Sequence, residues 1–416
     1  MFFSEQNEFL QTFALSFGVS ALVVCTKKYH IALSARHFDI TAVQRAHRFA
    51  TPRVGGLGVG LAILLILLVL LPDRQGPGWS LFAVSLAPIF LAGLAEDLGY
   101  GVSPLRRLLA AALSSAICIV LLGFWIPRAD TPLLDGLFAF APFAIVFTIF
   151  AASGICHAFN LIDGVNGLAA GIGVIVAVGL AAIAAKAGET EIGTAAVLMV
   201  PALLGFLALN FPFGKIFLGD AGAYSIGHVL AWLAIALLAR VEALTTWAVM
   251  LVLFWPVADT VLAIYRRRHA GKPMGRPDRL HYHQLVMRAL EIGYFGRKRR
   301  HIANPVSALV ILLLASAPII VGVLLWNRPL AAFTAFVLFS VLFVSSYQLG
   351  MRFAYRSAKR LNNGARRRGH NSVVRNGRAP ATAKSRSPEF VPPPCDAATA
   401  SAWVNGFDRS PDRGDQ

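Results

Sequence analysis

Residues 134–186 read LDGLFAFAPFAIVFTIFAASGICHAFNLIDGVNGLAAGIGVIVAVGLAAIAAK, two apolar runs (134–155 and 168–186) joined by a short polar hairpin. Each run is close to the ~20 residues that cross a bilayer as a helix. The hairpin holds His157, Asn160, Asp163 and Asn166 between glycines, and carries no Lys or Arg. The same alternation recurs outward on both sides. Apolar runs over 9–26, 54–72, 79–95 and 104–124 precede it, and runs over 194–210, 221–239, 245–265, 304–326 and 331–350 follow. The pattern predicts an all-α, polytopic membrane protein with about eleven spans.

Composition agrees. Of the 416 residues, 56% are hydrophobic and only 14% are charged, against roughly 25% charged in soluble domains. Cys25, Cys118, Cys156 and Cys395 are scattered with no CxxC pair, so neither a disulfide framework nor a thiolate zinc site is indicated. Glu5 and Glu8 precede the first apolar run and Lys27-Lys28 follow it, the reverse of a secretory signal, so an uncleaved first span is expected. The chain divides into a membrane domain, 1–350, and a basic, low-complexity tail, 351–416, of a composition that stays disordered.

The net charge of +17 is a nucleic-acid cue in a soluble chain, but its placement here follows membrane topology. Of the 38 Lys and Arg residues, 33 fall on one side of the eleven spans, and Arg74, Arg128, Lys186, Arg240 and Arg328 fall on the other. The positive-inside rule then puts the N-terminus outside and the C-terminus in the cytoplasm. A nucleic-acid partner is not expected; membrane lipids are, with anionic headgroups meeting the tail.

Polar residues that a membrane span would otherwise exclude collect in five segments on that cytoplasmic side. The first, Thr51-Pro-Arg-Val-Gly-Gly-Leu-Gly58, offers Arg53 and a Gly55–Gly56 pair that suits either a backbone anion cradle or close helix packing. The second holds the adjacent carboxylates Glu96 and Asp97, followed by Arg106-Arg107. Such a pair needs a compensating cation, either a divalent metal or a neighbouring arginine. In the third, Asn160, Asp163 and Asn166 recur every three residues, which in a helical turn puts three oxygen-bearing side chains on one face and suits a hard cation. In the fourth, Asn210 to Gly222, Asp220 opens an apolar span beside Lys215 and Phe217. It is either an N-cap or part of a Mg²⁺–phosphate site. The fifth contains Arg279, His281 and His283; lacking an open zinc ligand set, the two histidines read as phosphate donors.

The order PRVGGLG, AEDLG, NLIDGVNGLAAG, FPFGKIFLGDAG and RLHYH, over roughly residues 45–290, resembles the polyprenyl-phosphate N-acetylhexosamine-1-phosphate transferase family. That family includes the peptidoglycan translocase acting on UDP-MurNAc-pentapeptide and the GlcNAc-1-phosphate transferases; eleven spans look more like the GlcNAc-type bacterial branch. The resemblance implies a bacterial plasma-membrane enzyme whose active site faces the cytoplasm. Its expected substrates are a UDP-sugar and a polyprenyl phosphate, its cofactor is Mg²⁺ or Mn²⁺, and a homodimer is an expected assembly. It implies Asp220 and Asn160 as metal ligands and Asp97, Asp163 and His281 as catalytic groups. Arg53, Glu96, Asn166, Asn210, Lys215, Phe217, Arg279 and His283 are expected to bind substrate, Asn210 and Phe217 near the nucleobase. Asp97 is expected to orient or deprotonate the lipid phosphate. Glu96, Asn166 and Gln284 depart from the family's Asp, Asp and His, which bears on substrate identity. The rival class is a secondary transporter. Such a protein would carry its polar residues near span midpoints, whereas here they gather at one end.

The charge split carries a direct test of topology. A thiol introduced at Gly78 in intact cells is expected to react with a membrane-impermeant maleimide, and one at Gly271 to stay unlabelled. Equal labelling of both would overturn the orientation.

Overall fold

Inside a bilayer every backbone polar group has to find a partner within its own segment, so apolar runs fold as helices. The computed structural model describes residues 2–34, 51–71, 78–271, 280–296 and 299–376, and among them helix follows helix with no strand. In order they are α1 (Phe2–Cys25), α2 (Lys27–Ser34), α3 (Gly56–Leu65), α4 (Trp79–Asp97), α5 (Pro104–Leu122), α6 (Pro132–Phe138), α7 (Ala141–Ile162) and α8 (Leu168–Ala187). There follow α9 (Thr190–Asn210), α10 (Gly219–Arg240), α11 (Thr246–Val252), α12 (Phe254–His269), α13 (Tyr282–Leu290), α14 (Arg300–Leu324) and α15 (Pro329–Asn376). The protein is an all-helical, polytopic membrane protein.

Nine of these helices are long and apolar enough to cross a membrane by themselves. The expectation of eleven plain spans is corrected at two places. The run over 54–72 becomes α3 and a wider turn over Ile66–Leu70, which together reach only from Gly56 to Leu70. The run over 245–265 is broken: α11 and α12 meet at Leu253 with a bend of 82°. Pro256 lies in the first turn of α12, where its missing N–H costs nothing and where it cannot extend the ladder of α11. Hydropathy runs unbroken across that joint, so it leaves no mark in the apolar pattern.

The bundle is organised around α10, which is buried along its whole apolar length and packs on α3, α4, α7, α8 and α9. Glycine makes two of these contacts close. A Cβ on Gly93 of α4 would meet the backbone of Ala221 at 2.6 Å, and one on Gly56 would meet the backbone nitrogen of Gly222 at 2.2 Å. Small residues at helix crossings let backbones approach and maximise dispersion contact where no hydrophobic drive separates helix from lipid. At the far end of α10, Arg128 donates to the carbonyls of Val241 (3.0 Å), Glu242 (2.7 Å) and Leu244 (2.6 Å). Asp130 accepts from the Thr246 N–H at the start of α11. This end is closed by its own polar residues.

The last helix runs past residue 350 to Asn376, into the segment read as a tail. No proline interrupts residues 351–376, and extending a formed helix needs no new nucleation. Residues 377–416, the rest of that tail, lie outside the described residues.

Candidate active site

The start of α10 leaves four backbone N–H groups without helical partners, in a buried position. Asp97, the last residue of α4 and 2% exposed, supplies what they need. Its Oδ1 accepts from the Asp220 N–H at 2.8 Å and its Oδ2 from the Ala221 N–H at 2.9 Å. The capping carboxylate of α10 therefore comes from another helix. The sequence left Asp220 as either cap or ligand, and this contact decides against the cap. Both Asp97 oxygens thus hold the end of α10, a role that its reading as the group handling the lipid phosphate did not include.

Asp220 is thereby free to point elsewhere. Its Oδ1 accepts from the Asn160 amide at 3.0 Å, and its Oδ2 is paired with the Arg107 guanidinium from the first turn of α5. Arg107 is a site residue that sequence reasoning passed over; it stood in view as a counter-charge for the Glu96–Asp97 pair. Tyr224, one turn along α10 from Asp220, stacks edge-on against His157 with ring centroids 5.0 Å apart. Glu96 closes the turn after α4, its Oε2 accepting from the Val102 N–H at 2.6 Å, and its charge acts on Arg107 and Tyr224.

Asp163 terminates α7 and receives a hydrogen bond from the Gly219 N–H. Burial pushes its carboxyl up to about 7; the Asp220 charge adds to this, while Arg53 and the Gly219 N–H oppose it. Arg53 arrives on a segment stitched to the start of α10: Phe217 N–H donates to Pro52 O (2.8 Å), Gly55 N–H to Phe217 O (2.9 Å) and Gly56 N–H to Leu218 O (2.7 Å). The glycine pair is spent on close packing, and its N–H groups are not an anion cradle.

The helical ladder expected of Asn160, Asp163 and Asn166 is broken, because α7 ends at Ile162. Asn160 and Asp163 face the start of α10. Asn166 turns to the other side, where its amide donates to Pro212 O at 3.0 Å and its backbone N–H to Asn304 Oδ1 at 2.9 Å. Asn210 accepts from the Gly167 N–H at 2.6 Å and donates to Ile216 O at 2.6 Å, tying two loops together. Phe217 is half-buried beside Arg53 in the stitched segment. Lys215 stays exposed, its ammonium 5.9 Å from the Phe213 ring centroid, so it too is not brought to Asp220.

His281 and His283 are both buried, with rings parallel at 5.5 Å. Their Nδ1 atoms lie 3.3 and 3.6 Å from Oδ2 of Asp259 on α12. A Cβ on Gly164 would come within 2.5 Å of His283 Nε2, so this imidazole abuts the turn that carries Asp163. Arg279 lies outside the described residues. Asp259 was also missed in the sequence, and the only signal for it was an isolated acid within an apolar run. Among the described residues no three His, Cys, Asp or Glu side chains form a metal cage. Asp220 and Asn160, the expected metal ligands, lie side by side, with the Asp220 oxygens shared between Asn160 and Arg107.

Buried carboxylates, an arginine and an imidazole pair gathered at one end of a helical membrane bundle define an embedded site for anionic chemistry. The family model described as Glycosyl transferase family 4 matches residues 79–238. That stretch holds Asp97, Arg107, Asn160, Asp163 and Asp220. The chain is 29% identical to the probable undecaprenyl-phosphate N-acetylglucosaminyl 1-phosphate transferase of Bacillus subtilis, over 65% of this chain and 75% of that protein. It is 24% identical to the undecaprenyl-phosphate alpha-N-acetylglucosaminyl 1-phosphate transferase of Yersinia pestis, over 66% and 74% of the two chains. With the protein of the same name from Escherichia coli K12 it shares 27%, over 59% and 68%. Over residues 79–238 the chain is thus similar to glycosyl transferase family 4, and over about two thirds of its length to these transferases.

Outcomes of two kinds follow from this geometry, the first from substitution. Asp97→Asn keeps one acceptor and loses the charge, so thermal unfolding in detergent should report a loss of about 2 kcal/mol, the scale of a charge-assisted hydrogen bond. Asp220→Asn should keep the fold, because Asp97 still caps α10, but it should lose some stability with the Arg107 ion pair and nearly all turnover. The second outcome concerns pH. Between an ordinary carboxyl value near 3.9 and the folded value of about 7, the folded state holds the extra proton on Asp163, so this group makes stability fall as pH rises through that window. Turnover that uses the carboxylate should rise through about pH 7. Arg53→Gln removes an opposing positive charge, so a pH–rate profile should show that limb displaced upward.

Proposed function

We propose that this enzyme transfers a HexNAc-1-phosphate, GlcNAc-1-phosphate by default, from a UDP-sugar to undecaprenyl phosphate, releasing UMP and starting a lipid-linked cell-envelope glycan. What carries the reading is the Asp220–Asn160–Arg107 cluster, inside the stretch matched by the family model. Relatives named for this transfer support it. The charge split supports a site facing the cytoplasm of a bacterial plasma membrane, where nucleotide sugars are made.

Magnesium suits the donor set. Mg²⁺ characteristically takes one or two protein carboxylates and leaves the rest of its shell to water and substrate phosphates, so a protein cage is not required. Asp220 and Asn160 already touch one another through Asn160 Nδ2 and Asp220 Oδ1, and the Asn160 amide oxygen is a second hard donor. When bound, the ion would supply Lewis-acid charge stabilisation at the pyrophosphate.

The residues themselves account for the remaining needs. A lipid phosphate approaching a pyrophosphate meets mutual repulsion, which Arg107 and the imidazoles of His281 and His283 offset. A phosphate monoester has a second pKa near 6, so at neutral pH most of the nucleophile is already ionised and direct displacement needs little base. Asp163, with a carboxyl near 7, is matched to hold the residual proton of a singly charged monoester. Asp97 keeps Asp220 in place by fixing the backbone that carries it.

Purified membranes given radiolabelled UDP-GlcNAc and undecaprenyl phosphate should form a lipid-extractable product and UMP. EDTA should stop the reaction and Mg²⁺ restore it. Transfer from UDP-MurNAc-pentapeptide instead would place the chain in the peptidoglycan branch. Solute uptake without any lipid-linked product would favour the transporter class.

A further inference from the structure

We infer that Asp259 is the positioning residue of the histidine pair, one buried carboxylate that orients both imidazoles and sets that of His283 against the Asp163 turn. The inference rests on the transfer reading for its functional half. Asp259 sits on α12, less than two turns after the 82° break, and is 1% exposed. Its two oxygens do different work. Oδ1 accepts from the Tyr282 N–H at 3.0 Å, which anchors the strand of chain carrying the histidines. Oδ2 faces Nδ1 of His281 at 3.3 Å and Nδ1 of His283 at 3.6 Å.

Two histidines two residues apart on a helix diverge. Here His281 precedes α13 in extended backbone, φ −61° and ψ 151°, while His283 is inside the helix, and that difference lets the rings stack. With both Nδ1 atoms turned to Asp259, both Nε2 atoms point away from it, and that of His283 lies against Gly164. The hydrogen bond made by one ring nitrogen sets what the other can do. With Nδ1 turned to the carboxylate, Nε2 is the ring nitrogen left to face substrate.

The surrounding contacts hold this geometry from two more sides. Arg266 on α12 donates to Leu280 O at 2.8 Å and to the Tyr347 hydroxyl at 2.7 Å, and Tyr282 OH donates to Ser346 Oγ at 3.0 Å. Residues 280–282 are thus strapped between the lateral half of the broken span and the last span. The sharp bend at Leu253 gains a purpose: it carries Asp259 to where the histidine segment arrives. A purely structural Asp259 needs only Oδ1; the approach of both imidazoles to Oδ2 is what a fastening role leaves over.

Asp259→Asn separates the two functions, because the amide oxygen can still accept from Tyr282 while an amide nitrogen or a neutral oxygen faces the imidazoles. It should lower kcat on the order of 10- to 100-fold, the scale for losing a carboxylate that orients a functional histidine, with donor KM changed less than about 3-fold. In a His281→Gln, His283→Gln background the same change should cost less than about 3-fold, since residues acting as one unit are not additive. An additive cycle, or a wild-type kcat in Asp259→Asn, would overturn the positioning role. Hydrogen–deuterium exchange in detergent gives a readout without turnover. Asp259→Ala should deprotect residues 280–290 while Asp259→Asn leaves them protected; unchanged exchange in Asp259→Ala would overturn the anchor. A wild-type protein that transfers no HexNAc-1-phosphate would sink the transfer reading and leave the exchange result to judge the anchor.

Discussion

The cap that Asp97 places on α10 is the contact on which the site depends. A helix buried along its length cannot leave its first N–H groups to water, and in this bundle they are not satisfied by a side chain of their own segment. The carboxylate at the end of α4 reaches across instead. Its negative charge complements the positive end of the helix dipole, so a group that would be costly alone becomes a fastener between two spans. Because another helix supplies the cap, Asp220 in the first turn of α10 keeps its carboxylate for Asn160 and Arg107.

That fastening works only because the backbones come close. Gly93 lets α4 run against Ala221, and Gly56 and Gly222 let α3 meet α10. The segment 52–56 then pairs its backbone with Phe217 and Leu218 and brings Arg53 to the carboxylates. Three acidic residues share this region, and like charges so arranged disfavour joint ionisation. Backbone N–H groups hold Asp97, a guanidinium holds Asp220, and Asp163 carries the remaining strain as a carboxyl raised to about 7. The arrangement separates one anchoring carboxylate, one carboxylate paired with a guanidinium and one carboxyl of raised pKa within a few turns of helix.

The histidine side follows the same logic from another direction. The bent span brings Asp259 under the two imidazoles, and the last span closes on the segment that carries them. Both halves of the site are thus held by buried carboxylates, Asp97 under α10 and Asp259 under the histidine pair.

Much of this was legible in the residues alone. Apolar runs of bilayer length dictate helices because the membrane offers the backbone no other partner. Asp163, Asp220, Asn160 and the histidines announce themselves because ionisable and amide side chains at span ends are expensive without a purpose. What only the tertiary structure decided is which of these polar groups spend themselves on one another. Asp97 became a cap, Asn210 a loop tie, Glu96 a turn staple and Gly55–Gly56 a packing surface, each through a partner dozens of residues away or a turn that no periodicity encodes. Arg107 and Asp259 were hidden for the same reason: hydropathy records the solvent a side chain prefers, and a buried charge is defined by the partner it meets.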